Sequence, residues 1–385
     1  MGKKLKVAHL QLLPLLTGVQ RVTLEELERL EDSKYDKFIV CKEEGPLIEG
    51  AKNKNINFFF NENLERSISP LNDLKAFIKL YKLFKQQKFD IVHSHSSKTG
   101  VIGRVAAKLA GVPMVVHTVH GFAFPAAKGR LDKLLFFFME WLGTKCSDKI
   151  ICLHEVDKNI AVDKLGAKEK QVVILANGVD TVKFSPIDHV AKNRLQSSFN
   201  VPPNTICVGM VGRLWEQKNP IVFVNAAIEI LSQKKNVQFF LVGDGELRSH
   251  LEEIVEQSGF SDKVHFLGWR NDIQDILRML DVFVLPSLWE GMPLAILEAQ
   301  SSGLPSIVSN IPGNNHLVTE SDGLLFNLSE QSKLNLNIHK LIANKALRES
   351  LGRAARAKIM HKYDINLRIR NISALYSSFM KDINS

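Results

Sequence analysis

The chain has 385 residues, 45% of them hydrophobic and 24% charged, which fits a soluble globular protein of two α/β domains. Its four cysteines, Cys41, Cys146, Cys152 and Cys207, form no C-x-x-C pair, so neither a zinc site nor a disulfide framework is indicated, and a reducing compartment is favoured. The basic start, Met1-Gly2-Lys3-Lys4-Leu5-Lys6, lacks the apolar region of a secretory leader, and no run of about 18 apolar residues is present to span a membrane.

Strands are predicted at 5–10, 37–41, 56–60, 90–93, 113–117, 149–153 and 172–175, with helical patterns at 19–31, 71–87, 99–110 and 130–145 between them. The first strand runs into Leu16-Thr17-Gly18, with no G-x-G-x-x-G, which argues against a nicotinamide enzyme. Gly18 lets backbone amides at a helix start approach a phosphate, although glycine is common at such junctions. His93 and His95 alternate, so they share a face if the strand continues that far; Asp90 then falls on the other face and a metal-ligand set is incomplete. His120, before Gly121, is placed to hydrogen-bond a sugar hydroxyl or a backbone carbonyl. Ala176-Asn177-Gly178-Val179-Asp180 reads as a tight turn, and the polar stretch 187–204 as the linker.

From about residue 205 the rhythm resumes, with strands expected at 205–211, 237–242, 263–267, 281–285, 305–308 and 323–326. Such alternation means parallel sheets covered on both faces. Gly212-Arg213 through Lys218-Asn219-Pro220 follows the first of these strands and offers two cations to a diphosphate. Gly268-Trp269-Arg270 follows the third, where its backbone can meet a base and Asp272 can cap the next helix. After the fourth comes Glu290-Gly291-Met292-Pro293-Leu294-Ala295, with Glu298 further on. Pro293 suits the first helical position, and the amides of 291–295 face an anion site. The two carboxylates would stand roughly 10 Å apart. That layout matches a nucleotide-diphosphate sugar, with polyol, phosphates and ribose diol in line.

These motifs together resemble the retaining GT-B glycosyltransferases, the large family that includes sucrose and glycogen synthases. The segment from Asp90 to Phe124 resembles its bacterial capsule, exopolysaccharide and O-antigen branch. The resemblance covers nearly the whole chain. It implies two Rossmann-like domains whose parallel sheets face each other across a cleft: an acceptor-side domain at 1–186 and a nucleotide-sugar domain at 187–364. The helix at about 365–385 would pack back on the first. Arg213 and Lys218 would hold the donor diphosphate and Glu298 the ribose diol. Glu290 would contact the donor sugar, and backbone near Gly291, Met292, Leu294 and Ala295 the sugar and phosphate. His120 would sit by the reactive face of the sugar, Gly18 by the β-phosphate and Arg270 near the donor. Many relatives carry two adjacent glycines where this chain has Thr17-Gly18.

The resemblance implies transfer with retention from a UDP-sugar, as a hexose or N-acetylhexosamine, to a polyprenyl-linked glycan of a bacterial surface polysaccharide. No metal or other cofactor is expected: Arg213, Lys218 and helix-start amides supply the positive field, and no D-x-D motif sits at a strand end. Residues 66–108 hold nine basic and two acidic residues, a net +7 of the chain's +9. A basic amphipathic helix at 71–88 suits an anionic inner-leaflet surface, and so does the segment 128–141, with Lys128, Arg130 and Lys133 before Leu134-Leu135-Phe136-Phe137-Phe138. Each also reads as an ordinary helix buried on a sheet. No nucleic-acid-binding motif is present. The expected place is the cytoplasm, peripherally on the inner face of the membrane. A sugar-nucleotide 2-epimerase of the same architecture and a non-catalytic sugar-binding protein are the competing readings.

Overall fold

The computed structural model describes residues 3–122, 124 and 129–384. The chain forms two units, Met1–Asn177 with Asn366–Ser385, and Gly178–Ile365.

The first unit runs β1 (Leu5–Leu10), α1 (Gly18–Arg29), β2 (Tyr35–Cys41), α2 (Pro46–Lys52), β3 (Asn57–Phe60), α3 (Pro70–Gln87), β4 (Ile91–Ser94), α4 (Ser97–Ala110), β5 (Met114–Val119), α5 (Arg130–Lys145), β6 (Lys149–Cys152), α6 (Glu155–Asn159) and β7 (Val172–Ile174). All seven strands are parallel, in the order β3-β2-β1-β4-β5-β6-β7. The order reverses between β1 and β4, and ligands of open α/β sheets bind at the carboxyl ends of such strands. Strands covered on both faces are apolar throughout, as in Val115, Val116, Ile150 and Ile151. On one side Leu80 and Phe84 of α3 pack with Phe89, Val92 and Val115.

The second unit begins with α7 (His189–Ser198). It continues through β8 (Ile206–Val211), α8 (Pro220–Gln233), β9 (Val237–Val242), α9 (Arg248–Ser258), β10 (Val264–Phe266), α10 (Ile273–Met279), β11 (Val282–Leu285), α11 (Leu294–Ser301), β12 (Ser306–Ser309) and β13 (Gly323–Phe326). It closes with α12 (Gln331–Ala343) and α13 (Lys345–Lys362). Its six parallel strands lie in the order β10-β9-β8-β11-β12-β13, so the reversal falls between β8 and β11.

The boundary differs from the one expected at 186. Residues 178–186 go with the second unit because Val179 bridges to Asp364, and Arg356 binds the carbonyls of Thr181, Phe184 and Ser301. A Cβ on Gly178 would lie 2.7 Å from Ile365 Cα, so the chain's outward and return strands pass closely there. Part of the expected linker is helical: Asp188 accepts the Ala191 amide at 2.8 Å and starts α7. Lys192 then pairs with Asp281, and Gln196 donates to the Met279 carbonyl. Helix α7 buries no residue fully, so it has no apolar stripe to betray it.

Helix α14 (Ile365–Asn384) belongs with the first unit. Its Arg368 binds the buried Glu26 carboxylate and the carbonyls of Leu175 and Ala176. Burial pushes the Glu26 carboxyl up, and the Arg368 charge and hydrogen bond oppose this.

Candidate active site

In the second unit, two loops meet because β8 and β11 are neighbours in the sheet. Leu288 donates its amide to the Gln217 carbonyl at 2.8 Å, and Gln217 Nε2 donates to the Trp289 carbonyl at 3.0 Å. After β8, Gly212 carries no side chain where a Cβ would lie 3.4–3.5 Å from the Lys218 stem. Lys218 ends a short 3-10 turn, Glu216–Lys218, with its stem in ordinary contact range of Gly212, and its Nζ forms an ion pair with Glu290 Oε1. Ser287 Oγ donates to the same oxygen at 2.7 Å. Both charges are largely shielded from water, with 16% and 6% of their side chains exposed, so the pair is stronger than a surface one. Arg213 lies over the Trp215 ring, 4.1 Å from its centre.

The Glu290–Gly291 backbone is supported from below by Gly313. At φ 89° this residue suits glycine, and a Cβ would fall 2.2 Å from the Gly291 carbonyl oxygen. Pro293 is the N-cap of α11, not its first helical residue, at ψ 122°. The first amides of α11, including Leu294 and Ala295, have no intrahelical partner, as at any helix start. Met292 and Glu298 are buried, the latter in the second turn of α11. Arg270 stands apart, beyond the edge strand β10, with its guanidinium on the Asp272 carboxylate. Asp272 is at the N-cap of α10, but that ion pair takes its carboxylate, so it makes no side-chain cap.

The first unit gathers rings at its own reversal point. His9 at the end of β1 and His93 in β4 are aligned across the ladder, and His95 lies just beyond β4. His95 Nε2 meets His9 Nδ1 at 2.9 Å, and His95 Nδ1 meets His120 Nε2 at 3.2 Å. His93 bonds Tyr376 Oη at 2.6 Å and Thr118 Oγ1 at 2.7 Å, while Tyr376 Oη also meets His9 Nε2 at 3.3 Å. Burial first, and then the Arg368 charge, pushes His9 and His120 down to about 3. Burial drives His93, His95 and His117 well below the usual histidine range. The rings are therefore neutral at pH 7. His95, His117, His120, Val119, Glu140 and Val19 line a cavity of about 190 Å³. Gly18 opens α1 with nothing within 4 Å of the place a Cβ would take, which leaves its backbone approachable.

Spacing along the chain found His93, His95 and His120 but missed His9, Glu26 and Tyr376. A histidine in the apolar strand Leu5–Leu10 was the one available signal for His9. His9, Glu26, His93 and His95 each bring a ligand-type atom within 4.8 Å of the others, a set that adjacent spacing could not reveal.

Two parallel-sheet units in one chain define the GT-B class. HepE of Anabaena, solved with UDP and glucose, overlays with a TM-score of 0.84 at 18% identity, covering 97% of this chain and 100% of that one. Sucrose-phosphate synthase of Thermosynechococcus elongatus overlays at 0.83 and 17%, covering 98% and 100%. Residues 16–183 match Glycosyltransferase Family 4, and 191–358 match Glycosyl transferases group 1. An Escherichia coli UDP-Gal:alpha-D-GlcNAc-diphosphoundecaprenol alpha-1,3-galactosyltransferase is 46% identical over 97% of both chains. A Campylobacter jejuni N,N'-diacetylbacillosaminyl-diphospho-undecaprenol alpha-1,3-N-acetylgalactosaminyltransferase is 26% identical over 93% of this chain and 95% of its own. The chain belongs to this family of GT-B glycosyltransferases and acts in polysaccharide synthesis. The epimerase and non-catalytic readings are not favoured.

Proposed function

We propose that this enzyme transfers galactose from UDP-galactose to a GlcNAc residue carried on undecaprenyl diphosphate, forming an α-1,3 bond. The observation that carries this is the 46% identity over 97% of both chains to an enzyme of that name. UDP-galactose is an α-glycosyl phosphate, so an α-linked product means retention.

The acceptor hydroxyl oxygen bonds to the anomeric carbon as the bond to the β-phosphate oxygen breaks. The proton passes to the departing phosphate on the same face, leaving UDP. Negative charge builds on the diphosphate, so Arg213, Lys218 and the amides of Leu294 and Ala295 act most strongly in the transition state. Lys218 has Glu290 as its counter-ion. A diphosphate then shares or replaces that partner, which releases Glu290 toward the sugar. Glu298 takes the ribose diol, His120 a hydroxyl of the sugar, Gly18 the β-phosphate, and Arg270 the donor's outer end. Two side-chain cations in place of a divalent ion make the reaction metal-independent.

The acceptor lipid calls for a membrane surface. Helix α5 fully buries only Glu140, Gly143 and Thr144, while Leu131 is 83% and Leu134 66% exposed, beside Arg130, Lys133 and Lys145. Helix α3 buries Ala76, Leu80 and Phe84 but exposes Leu71, Leu74 and Ile78 among Lys75, Lys79 and Lys82. We place these faces on an anionic leaflet. No helix among the described residues is long and apolar enough to cross a membrane.

The test is transfer from a panel of UDP-, GDP- and ADP-sugars to a synthetic GlcNAc-diphosphate lipid, with the product anomer read by NMR and EDTA present. UDP-galactose alone giving an α-1,3 product is expected. A β product would overturn retention, and loss of activity in EDTA that added metal restores would overturn metal independence.

A further inference from the structure

The ring contacts of the first unit form one unbroken line: His120, His95, His9, Tyr376, His93, Thr118. A neutral imidazole carries one ring proton, and the tyrosine hydroxyl carries one. Donation must therefore run in a single sense along the line. If His120 Nε2 donates to His95, then His95 donates to His9, His9 to Tyr376, Tyr376 to His93, and His93 to Thr118. The opposite sense reverses every step. A mixed arrangement leaves a buried donor or acceptor unmet, which buried polar groups avoid. His9, His93, Thr118 and Tyr376 are buried from water, so none can be completed by solvent.

The sense of the line decides the state of His120 Nδ1, the nitrogen not used by His95. In one sense Nδ1 is a bare acceptor; in the other it bears the proton. Resting on the reading that His120 meets the donor sugar, we propose that Thr118, His93, Tyr376, His9 and His95 are positioning residues. They set the tautomer and the ring orientation of His120 toward a sugar hydroxyl in the cavity it lines. Tyr376 is the middle link and comes from α14, so the far end of the sequence controls this nitrogen. The same atoms have the composition of a metal site, with Glu26 Oε2 lacking a hydrogen-bond partner. However, His9 Nδ1 and His95 Nε2 share a hydrogen bond at 2.9 Å, and a metal would have to break it. The hydrogen-bonded line accounts for every ring nitrogen of His9, His93 and His95.

The experiment compares wild type, Tyr376→Phe, Thr118→Val and His120→Ala in the full chain. The readouts are histidine-ring 15N NMR, steady-state kinetics and metal content. Tyr376→Phe keeps the buried ring and removes the link. We expect its His120 signals to move from a single tautomer to an average, and kcat to fall on the order of tenfold with donor KM little changed. Thr118→Val, at the end of the line, should shift both in the same direction by less. If Tyr376→Phe keeps the wild-type His120 signals and kcat while His120→Ala is impaired, the network has no such role. Full activity in His120→Ala would overturn the reading of His120 itself. A stoichiometric metal in the wild type would replace the network with a metal centre.

Discussion

The two units solve one topological problem with opposite chemistry. Each parallel sheet reverses its strand order beside its first strand, and each places polar side chains there. The second unit uses ions: Lys218 faces Glu290, with Arg213 in the same loop. The first uses neutral rings in a hydrogen-bonded line, with the ion pairs Arg368–Glu26 and Arg104–Glu140 beside them. A phosphate needs fixed positive charge, whereas a sugar hydroxyl needs a directed donor or acceptor without charge. A charged histidine beside Arg368 would oppose that Arg, which is one reason the rings stay neutral.

Acid should break this contrast most strongly. His9, His93, His95, His117 and His120 have folded pKa values below their unfolded value of about 6.5. The unfolded chain therefore binds more protons as pH falls through 6.5, and stability present above that pH is lost below it. For His9 and His120, pushed down to about 3, this costs up to about 2 kcal/mol each at pH 5, and His93, His95 and His117 act in the same direction. Glu26 and Asp157, raised by burial, work in the opposite sense but are fewer. Calorimetry at pH 7.5 and 5 should show the first unit losing more stability than the second. Equal losses would mean the rings are solvated.

Arg368→Met should come next, at about 3–5 kcal/mol, because it strands the buried Glu26 carboxylate. Urea unfolding reads that loss, and Arg368→Met with Glu26→Gln should recover much of it. In the second unit, Arg213→Ala should cost about 3 kcal/mol of barrier, roughly 100-fold in kcat, with folding unchanged. Glu290→Gln should cost less than Arg213→Ala, because it loses a sugar contact but leaves both cations. Equal losses would count against the diphosphate as the centre of catalysis. Smallest in solution is Phe138→Glu on α5. It removes a half-exposed ring stacked on Trp141, so it should cost only about 1 kcal/mol of stability while weakening sedimentation with anionic vesicles. Binding that ignores both this change and high salt would rule out α5 as the contact.

Much of the fold was legible because buried parallel strands are apolar runs at regular intervals. The Arg213, Lys218 and Glu290 types were legible too, since glycine and proline punctuate their loops. Their pairing was not: Lys218 and Glu290 are 72 residues apart, and only the adjacency of β8 and β11 joins them. Tyr376 lies 283 residues from His93 and reads in sequence as an ordinary tail-helix residue. Helix α5 was open to two readings, a membrane face or a core face, and the structure divides its apolar run: Phe136 and Phe137 pack on the core while Leu131, Leu134 and Phe138 stay exposed. What the sequence did not show is that its Glu140 is buried, because Arg104 from α4 binds it.

The return of α14 to the first unit sets an order of assembly. Residues 178–365 are continuous, so the second unit can fold as soon as it has been synthesised. The first unit begins earlier but lacks the arginine that neutralises Glu26 and the hydroxyl that joins His9 to His93 until residues 368 and 376 have been added. On the ribosome, the half that emerges first is therefore the last to be completed. A chain halted before α14 would carry a finished second unit and an incomplete first one, the state most exposed to chaperones and proteases.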